Sequence, residues 1–468
     1  MRILKLPLFF LLLWASSAHA QLPFAVSDAL RKAGVPLDSV AVFVQRVDAP
    51  QATIQHQTRQ ALNPASTMKL LTTYAGLDLL GSAYRWRTEI YTDGKLNNGV
   101  LEGNLILKGY GDPDLMAEDF WRLLNALRQA GVKDIRGDLV LDRSYFSTTS
   151  MDAGVFDGEP YRAYNARPSA LFVNLNSTSF RLAADMQQVS IKAEPDLPEI
   201  KIINQLQVSA AQCNDWKSRL RYVITPQDNV ATVMFAGEYA ADCGEKYLDL
   251  SLFEDATYTY NLFRKIWQQL GGSLQGSLRL AATPVNAVKL MQQDSLTLAD
   301  IIRRINKYSN NLMARQLLLT IAAEREGMPA TEANGDKAIR TWLASKGMNF
   351  PELVIENGAG LSRVERISAQ HMGELLMSAY ASPVMPELMS SLPILAVDGT
   401  TERRSKASFV QGRAHLKTGS LNGVRSVAGY VLDQAGKRWV VVFMVNHQRA
   451  GLTKEAQDAL LDWVYRQQ

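Results

Sequence analysis

Ser66-Thr67-Met68-Lys69 places a hydroxyl and an amine three residues apart. On a helix, positions i and i+3 share one face, so the two groups can meet. A serine becomes a nucleophile when a base takes its proton, and a lysine is a base only when neutral. Partial burial, with a second cation nearby, disfavours the ammonium form and lowers the lysine pKa. Taken alone the pattern is frequent, and a helix-capping serine beside a solvated lysine is the alternative.

Two other clusters could complete a site. In Lys417-Thr418-Gly419, the lysine offers positive charge, the threonine a hydroxyl, and the glycine room for a substrate against the backbone. Together they suit capture of a carboxylate, although surface turns hold such tripeptides too. In Ser309-Asn310-Asn311, a serine and an asparagine two apart in a loop can both point into a cleft. The register is open at this level, because Tyr308-Ser309-Asn310 also fits a Tyr-x-Asn pattern.

These groups need elements to hold them. Val40-Ala41-Val42-Phe43-Val44 and Ala52-Thr53-Ile54 read as strands joined by a turn near Ala49-Pro50. Asn63-Pro64-Ala65 breaks the chain, and a helix is expected from Ser66 towards Gly81, with Met68, Leu71, Ala75 and Leu79 at helical spacing. A second helical stretch spans about 297–324, broken around residues 308–311. The tripeptide at 417 lies on a strand that leads into a hairpin, Val427 to Leu432 and Trp439 to Val445, the second arm apolar enough to be central. Ala456, Ala459, Leu460, Trp463 and Val464 form one stripe of a last helix, which we expect to face the core.

The middle of the chain differs. Gly103-Asn104-Leu105-Ile106-Leu107, Gly137-Asp138-Leu139-Val140-Leu141 and Gly276-Ser277-Leu278-Arg279-Leu280 share one pattern, a strand entered from a tight glycine turn. One sheet could gather all three, leaving the intervening hundred or so residues as a nested unit.

At 468 residues two or three domains are the natural prior. Arg2 and Lys5 precede the apolar run from Leu6 to Trp14, and Ala18-His19-Ala20 supplies a small-residue cleavage site. This is the pattern of a secretory leader, with the mature chain starting at Gln21 and the run too short for a permanent span. Losing those two basic residues takes 50 to 48, against 46 acidic ones, so no general field favours nucleic acid. Cys213 and Cys243 are the only cysteines. In an exported chain a disulfide closing that loop would stabilise by roughly 3–4 kcal/mol; two buried thiols are the alternative. With no ligand cluster around them, neither a metal nor a cofactor is expected. A Ser-His-Asp hydrolase would need a Gly-x-Ser-x-Gly elbow, which the sequence lacks, and one of its five histidines is in the leader.

Ser-x-x-Lys, Ser-x-Asn and Lys-Thr-Gly, in that chain order, are the motif set of penicillin-binding proteins and class A β-lactamases. Their surroundings tighten the match: Pro64-Ala65-Ser66-Thr67-Met68-Lys69, Val397-Asp398-Gly399-Thr400, and Lys417-Thr418-Gly419-Ser420-Leu421-Asn422-Gly423-Val424. Gly111-Asp112-Pro113-Asp114-Leu115 and Gly358-Ala359-Gly360-Leu361-Ser362-Arg363 extend it. The mature chain resembles the low-molecular-mass class C penicillin-binding proteins, the D-alanyl-D-alanine carboxypeptidase/endopeptidase family of penicillin-binding protein 4 type (peptidase family S13). Two departures stand out. Asn310 replaces the commoner Asp, and Glu356-Asn357-Gly358-Ala359-Gly360 replaces the usual Asp-Gly-Ser-Gly, so specificity residues are not transferred; Arg363 reads equally as a substrate contact or a structural ion pair.

The resemblance implies an α/β (α+β) fold: a β-lactamase/transpeptidase-like catalytic domain, an antiparallel sheet flanked by helices, interrupted by a large, mostly β insertion. The expected divisions are 21–91 with 283–468 for the catalytic domain, 92–160 with 250–282 for the insertion, and 161–249 nested within it. Ser66 is the implied nucleophile, Lys69 its base, Ser309 the proton donor to the leaving amine, and Asn311 the group orienting the acyl side. Lys417 and Thr418 would hold the terminal carboxylate, with Gly419 beside them and the backbone N–H groups of Ser66 and Ser420 facing the oxyanion. The implied activity is serine-type D-Ala-D-Ala carboxypeptidase, D,D-endopeptidase, or both, on peptidoglycan stem peptides in the periplasm, with β-lactams trapping Ser66. A β-lactamase, or a non-catalytic peptidoglycan-binding relative, is the alternative. Membrane contact is peripheral at most.

Overall fold

The computed structural model describes residues 21–147, 153–404 and 408–467; the expected leader lies outside them. A five-stranded antiparallel sheet runs in the order Ile54–His56, Val40–Arg46, Arg438–Asn446, Val424–Leu432, Ala414–Leu421. Side chains alternate across a strand, and here both faces are apolar. Val40, Val42, Val44, Val441, Phe443 and Val445 pack on one side with Val26, Leu30, Leu460 and Val464, from the helices Phe24–Ala33 and Lys454–Tyr465. Ala41, Phe43, Val440, Val442 and Met444 face the other side, with Leu71, Ile301, Leu317, Ile339 and Leu375 from five helices. Burying each such aliphatic side chain contributes roughly 1.5–3 kcal/mol of transfer free energy. The last helix faces the core, as its stripe requires.

The three repeated segments do stand side by side. Leu105 pairs with Leu139 and Leu139 with Leu278, all parallel, in a sheet completed by Arg85–Thr92 and Val288–Thr297. The residues ahead of each glycine line up likewise, Leu101 with Ile135 and Ile135 with Leu274. The glycines are what permit this stacking. A β-carbon on Gly137 would lie 2.4 Å from the Gly103 carbonyl oxygen, and one on Gly276 would lie 2.2 Å from that of Gly137. Helices Ala117–Gln129 and Asp255–Gln269 bury Leu123, Leu124 and Leu127, and Leu262, Phe263 and Ile266, in the core of this unit.

Two three-stranded sheets between residues 178 and 250 share a separate core built on Phe180, Leu182, Val233, Phe235 and Tyr239. Cys213 and Cys243 form a disulfide at its edge. A cut at residues 91–92 would pass through the strand Arg85–Thr92, which pairs with Leu105–Gly109 on one side and Val288–Thr297 on the other, so both strands continue the repeat sheet. No helix among the described residues is long and apolar enough to cross a membrane.

Candidate active site

Pro64 and Ala65 turn the chain abruptly before Ser66. Ala65 takes a left-handed φ of 46°, a conformation disfavoured for a residue with a β-carbon, and strained backbone of this kind persists only when its surroundings impose it. The restraints are visible. The Asn63 side chain accepts from the Ala65 N–H at 2.9 Å and donates to the Ser362 carbonyl at 2.8 Å, while Asn446 grips the Asn63 backbone from the far end of the chain. The hydroxyls of Thr67 and Ser426 both donate to the Pro64 carbonyl, at 2.7 and 2.6 Å. Ser66 consequently lies in a 3-10 turn, Ala65–Met68, and the α-helix begins only at Lys69 (Lys69–Leu80). The expected helix start at Ser66 is corrected by this tight turn, which leaves Ser66 and Lys69 on one side all the same.

The Lys69 amine lies 3.1 Å from the Ser66 Oγ, 2.7 Å from the Asn311 Oδ1 and 2.5 Å from the Ala359 carbonyl oxygen. Two of these neighbours are carbonyls, which only accept. A neutral amine has two N–H bonds and one lone pair. Giving both N–H bonds to Asn311 and Ala359 turns the lone pair towards the Ser66 hydroxyl. That is the geometry of a general base. Burial holds the Lys69 pKa down at about 7, against the pull of the Glu365 carboxylate, so the neutral form is available near neutral pH.

Lys417 is also fully buried, and donates to the Ser309 Oγ and the Thr418 carbonyl, both at 2.8 Å. Burial pushes its pKa well below the ordinary lysine value, and repulsion from Lys69 pushes it further. Among the described residues Lys417 forms no ion pair with a carboxylate, so nothing offsets the burial that disfavours its ammonium form. An arriving substrate carboxylate would restore it.

Helix Leu298–Tyr308 and helix Asn311–Glu326 meet at Ser309, which has a left-handed φ of 58°. Asn310 caps the second helix, accepting from the Met313 N–H at 3.0 Å, so its side chain is spent on the backbone. Ser309 reaches Lys417 and Asn311 reaches Lys69, contacts that favour the Ser-x-Asn register, while Tyr308 is 75% exposed. The two helices are tied to the inserted sheet. Arg304 pairs with Asp114 at 2.7 Å, and Gln316 donates to the Gly111 carbonyl at 3.2 Å. Lys307 pairs with Asp398 at 2.5 Å, linking the same loop to the Asp398-Gly399-Thr400 turn.

Along the strand Ala414–Leu421, the Thr418 hydroxyl is 3.0 Å from that of Thr400, and Ser420 is exposed with its hydroxyl accepting from Arg425 at 2.8 Å. A β-carbon on Gly419 would lie 2.2 Å from the Ser426 Oγ and 2.9 Å from the Ser66 nitrogen. The strand therefore passes hard against the nucleophile's backbone, and only glycine fits.

Several supporting residues escaped the sequence. Ala359 acts through its carbonyl, which no side-chain pattern announces. Glu365, wholly buried, accepts from the backbone N–H groups of Glu356, Asn357 and Gly358 and so shapes the segment that presents Ala359. Burial raises its pKa, while those N–H groups pull it back. Asn446 and Ser426 are distant in sequence from everything they hold; only the Asn63-Pro64 break hinted at a clamped turn. Arg363 donates to the Asn422 carbonyl at 3.2 Å and lies 4.6 Å over the Phe156 ring, and among the described residues it forms no ion pair.

The model of the D-Ala-D-Ala carboxypeptidase 3 (S13) family matches residues 22–467. The D-alanyl-D-alanine carboxypeptidase DacB of Haemophilus influenzae is 28% identical over 432 residues, covering 91% of this chain and 89% of the relative. The crystal structure of penicillin-binding protein 4 from that organism superimposes with a TM-score of 0.78 at 26% identity, over 94% of this chain and 99% of the other. A second structure of that protein, complexed with a β-lactam, gives 0.75 at 25% identity, over 95% of this chain and 100% of the other. Matched almost from end to end of its described residues, the chain belongs to the D-Ala-D-Ala carboxypeptidase 3 (S13) family.

Proposed function

We propose that Ser66 attacks the carbonyl of the penultimate D-Ala of a peptidoglycan stem peptide, with Lys69 taking its proton and a Ser66-bound acyl-enzyme as the intermediate. The observation that carries this is the Lys69 amine between two carbonyl acceptors and the Ser66 hydroxyl. The backbone N–H groups of Ser66 and Ser420 stabilise the oxyanion, where losing one donor typically costs about 3–4 kcal/mol. Ser66 is second in its 3-10 turn, so its N–H has no acceptor within that turn. Lys417 and Thr418 receive the terminal carboxylate, Gly419 lets the strand lie close, and Ser309, bonded to Lys417, passes a proton to the leaving amine. Asn311 keeps its carbonyl on Lys69 and offers its amide N–H to the acyl-side carbonyl. Water then releases the acyl group.

The same bond type occurs at the end of a stem peptide and at a D,D cross-link, so both carboxypeptidase and endopeptidase action fit this site. The substrate places the mature protein in the periplasm, reached by cleavage of the leader after Ala20. We assign 21–91 and 283–468 to the catalytic domain, 92–160 and 250–282 to the insertion and 161–249 to the nested unit, with the strands at 85–92 and 288–297 joining the first two. The separate cores of these units support that division.

Labelling with fluorescent penicillin, on wild type and Ser66→Ala, tests the nucleophile. Wild type should label stoichiometrically and the variant not at all; equal labelling would end the assignment. Rapid, sustained nitrocefin turnover would instead identify a β-lactamase. Digestion of monomeric and cross-linked muropeptides separates the two peptidase activities.

A further inference from the structure

The chemistry of the site needs little room, yet an open cleft of about 1190 Å³ leads away from it. One end is the Ser309–Leu312 loop; the walls beyond come from the inserted units, including Trp121 on helix Ala117–Gln129, Tyr164, and Tyr247. A site for a small ligand occupies roughly 300–1,000 Å³, so the cleft exceeds what the end of a peptide would fill.

Its lining is unusual in two respects. Large aromatic rings are left open to solvent: Trp121 is 43% exposed, Tyr164 42%, Tyr247 50% and Tyr308 75%. Exposed aromatics grouped in one cleft mark a binding surface, and the Tyr164 ring is held in place by its hydroxyl, which donates to Asp157 at 2.9 Å. The charges, by contrast, nearly cancel. Arg181, Lys192 and Lys265 face four acidic side chains across the lining. A stem peptide bears free carboxylates and would be met by a basic field. Neutral rings with apolar faces and many hydroxyls suit flat aromatic platforms among mixed polar groups.

We infer that this cleft binds the N-acetylated amino-sugar strand that carries the stem peptide, an inference that rests on the peptidoglycan reading above. The direction agrees. Asn311, on the proposed acyl side, stands at the mouth of the cleft, so the chain upstream of the cut bond leads into it. An extended residue spans at most ~3.5 Å, which puts a sugar a few residues upstream on the order of 10–15 Å from Ser66.

The test compares Trp121→Ala and Tyr164→Ala with wild type on two substrates, a sugar-free stem pentapeptide and the disaccharide-pentapeptide, with penicillin labelling in parallel. Each variant should raise KM for the disaccharide-pentapeptide about tenfold, the loss of one good aromatic contact, while the sugar-free peptide stays within about twofold. Unchanged labelling shows that the site remains folded; if Trp121→Ala loses labelling, Tyr164→Ala decides. Equal losses on both substrates would make the cleft a peptide site, and no loss on either would make it no site; each overturns the inference. Wild type that labels with penicillin but handles both substrates alike also overturns it, whereas wild type that neither labels nor cleaves refutes the peptidase reading itself.

Discussion

Asn311 gives its side-chain oxygen to the Lys69 amine at 2.7 Å, across a gap of 242 residues. That contact aims the amine, while burial is what favours its neutral form. An amide oxygen supplies no negative charge, so it orients the amine without paying the ammonium form the compliment of a counter-ion. The same helix start serves two purposes: Asn310 holds the backbone and Asn311 holds the base.

The acid limb of acylation should follow from this. The Lys69 pKa is lowered to about 7, chiefly by burial. Below that value the ammonium form dominates and the base is lost; above it the amine is free. The rate of β-lactam acylation should therefore fall about tenfold per pH unit below pH 6 and level off above about 8. Glu365→Gln removes the one carboxylate that raises this pKa, so the limb should move to lower pH. A rate flat from pH 5.5 to 9 would refute Lys69 as the base.

Neighbouring asparagines should part company on mutation. Asn310→Ala removes a helix cap and should cost about 1 kcal/mol of stability, read as a lowered Tm, with acylation little changed. Asn311→Ala frees the Lys69 amine and should cut acylation by about 10²-fold or more, with a small effect on Tm. The reverse pattern would restore the Tyr-x-Asn register.

How much of this was legible beforehand depended on whether a signal was local. Ser66, Lys69, Ser309, Asn311 and Lys417 sit in short motifs, and the structure brings all five together. Leu105, Leu139 and Leu278 were aligned by their repeat and lie in neighbouring strands. The unbroken apolar run from Trp439 to Val445 read as a central strand, and it is the middle strand of the five. By contrast, Ala359 acts through a backbone carbonyl and Asn446 through a contact spanning 383 residues, neither of which leaves a pattern in sequence. The burial of Lys417 was not legible either, because burial is a property of the fold.

Gly360 should tolerate no side chain. Its φ is 78°, and a β-carbon there would lie 1.9 Å from the Ala65 carbonyl oxygen and 2.7 Å from the Ser66 nitrogen. These are backbone atoms of an already strained turn and cannot give way cheaply. Gly360→Ala should lower penicillin acylation by about 10²-fold, since a displacement near 1 Å is enough to spoil attack geometry. Gly131→Ala is the control, because it too has a positive φ, 99°, yet nothing lies within 4 Å of its β-carbon. That variant should lose a little stability and no activity. Equal acylation by the Gly360 variant and wild type would show that the turn is free to move.

The disulfide should matter to one unit and not to the site. Cys213 and Cys243 are 30 residues apart and border the core of Phe180, Phe235 and Tyr239, well removed in the chain from the three motifs. Closing a loop of that length restricts the unfolded chain by about 3–4 kcal/mol in the chain-entropy model. Replacing both cysteines with serine should therefore lower the unfolding temperature of this unit, measured by calorimetry. The rate of penicillin acylation at 25 °C should stay unchanged, because Ser66, Lys69 and Lys417 are held by contacts from other units. A parallel fall in acylation would show that the nested core and the catalytic sheet fold as one cooperative body.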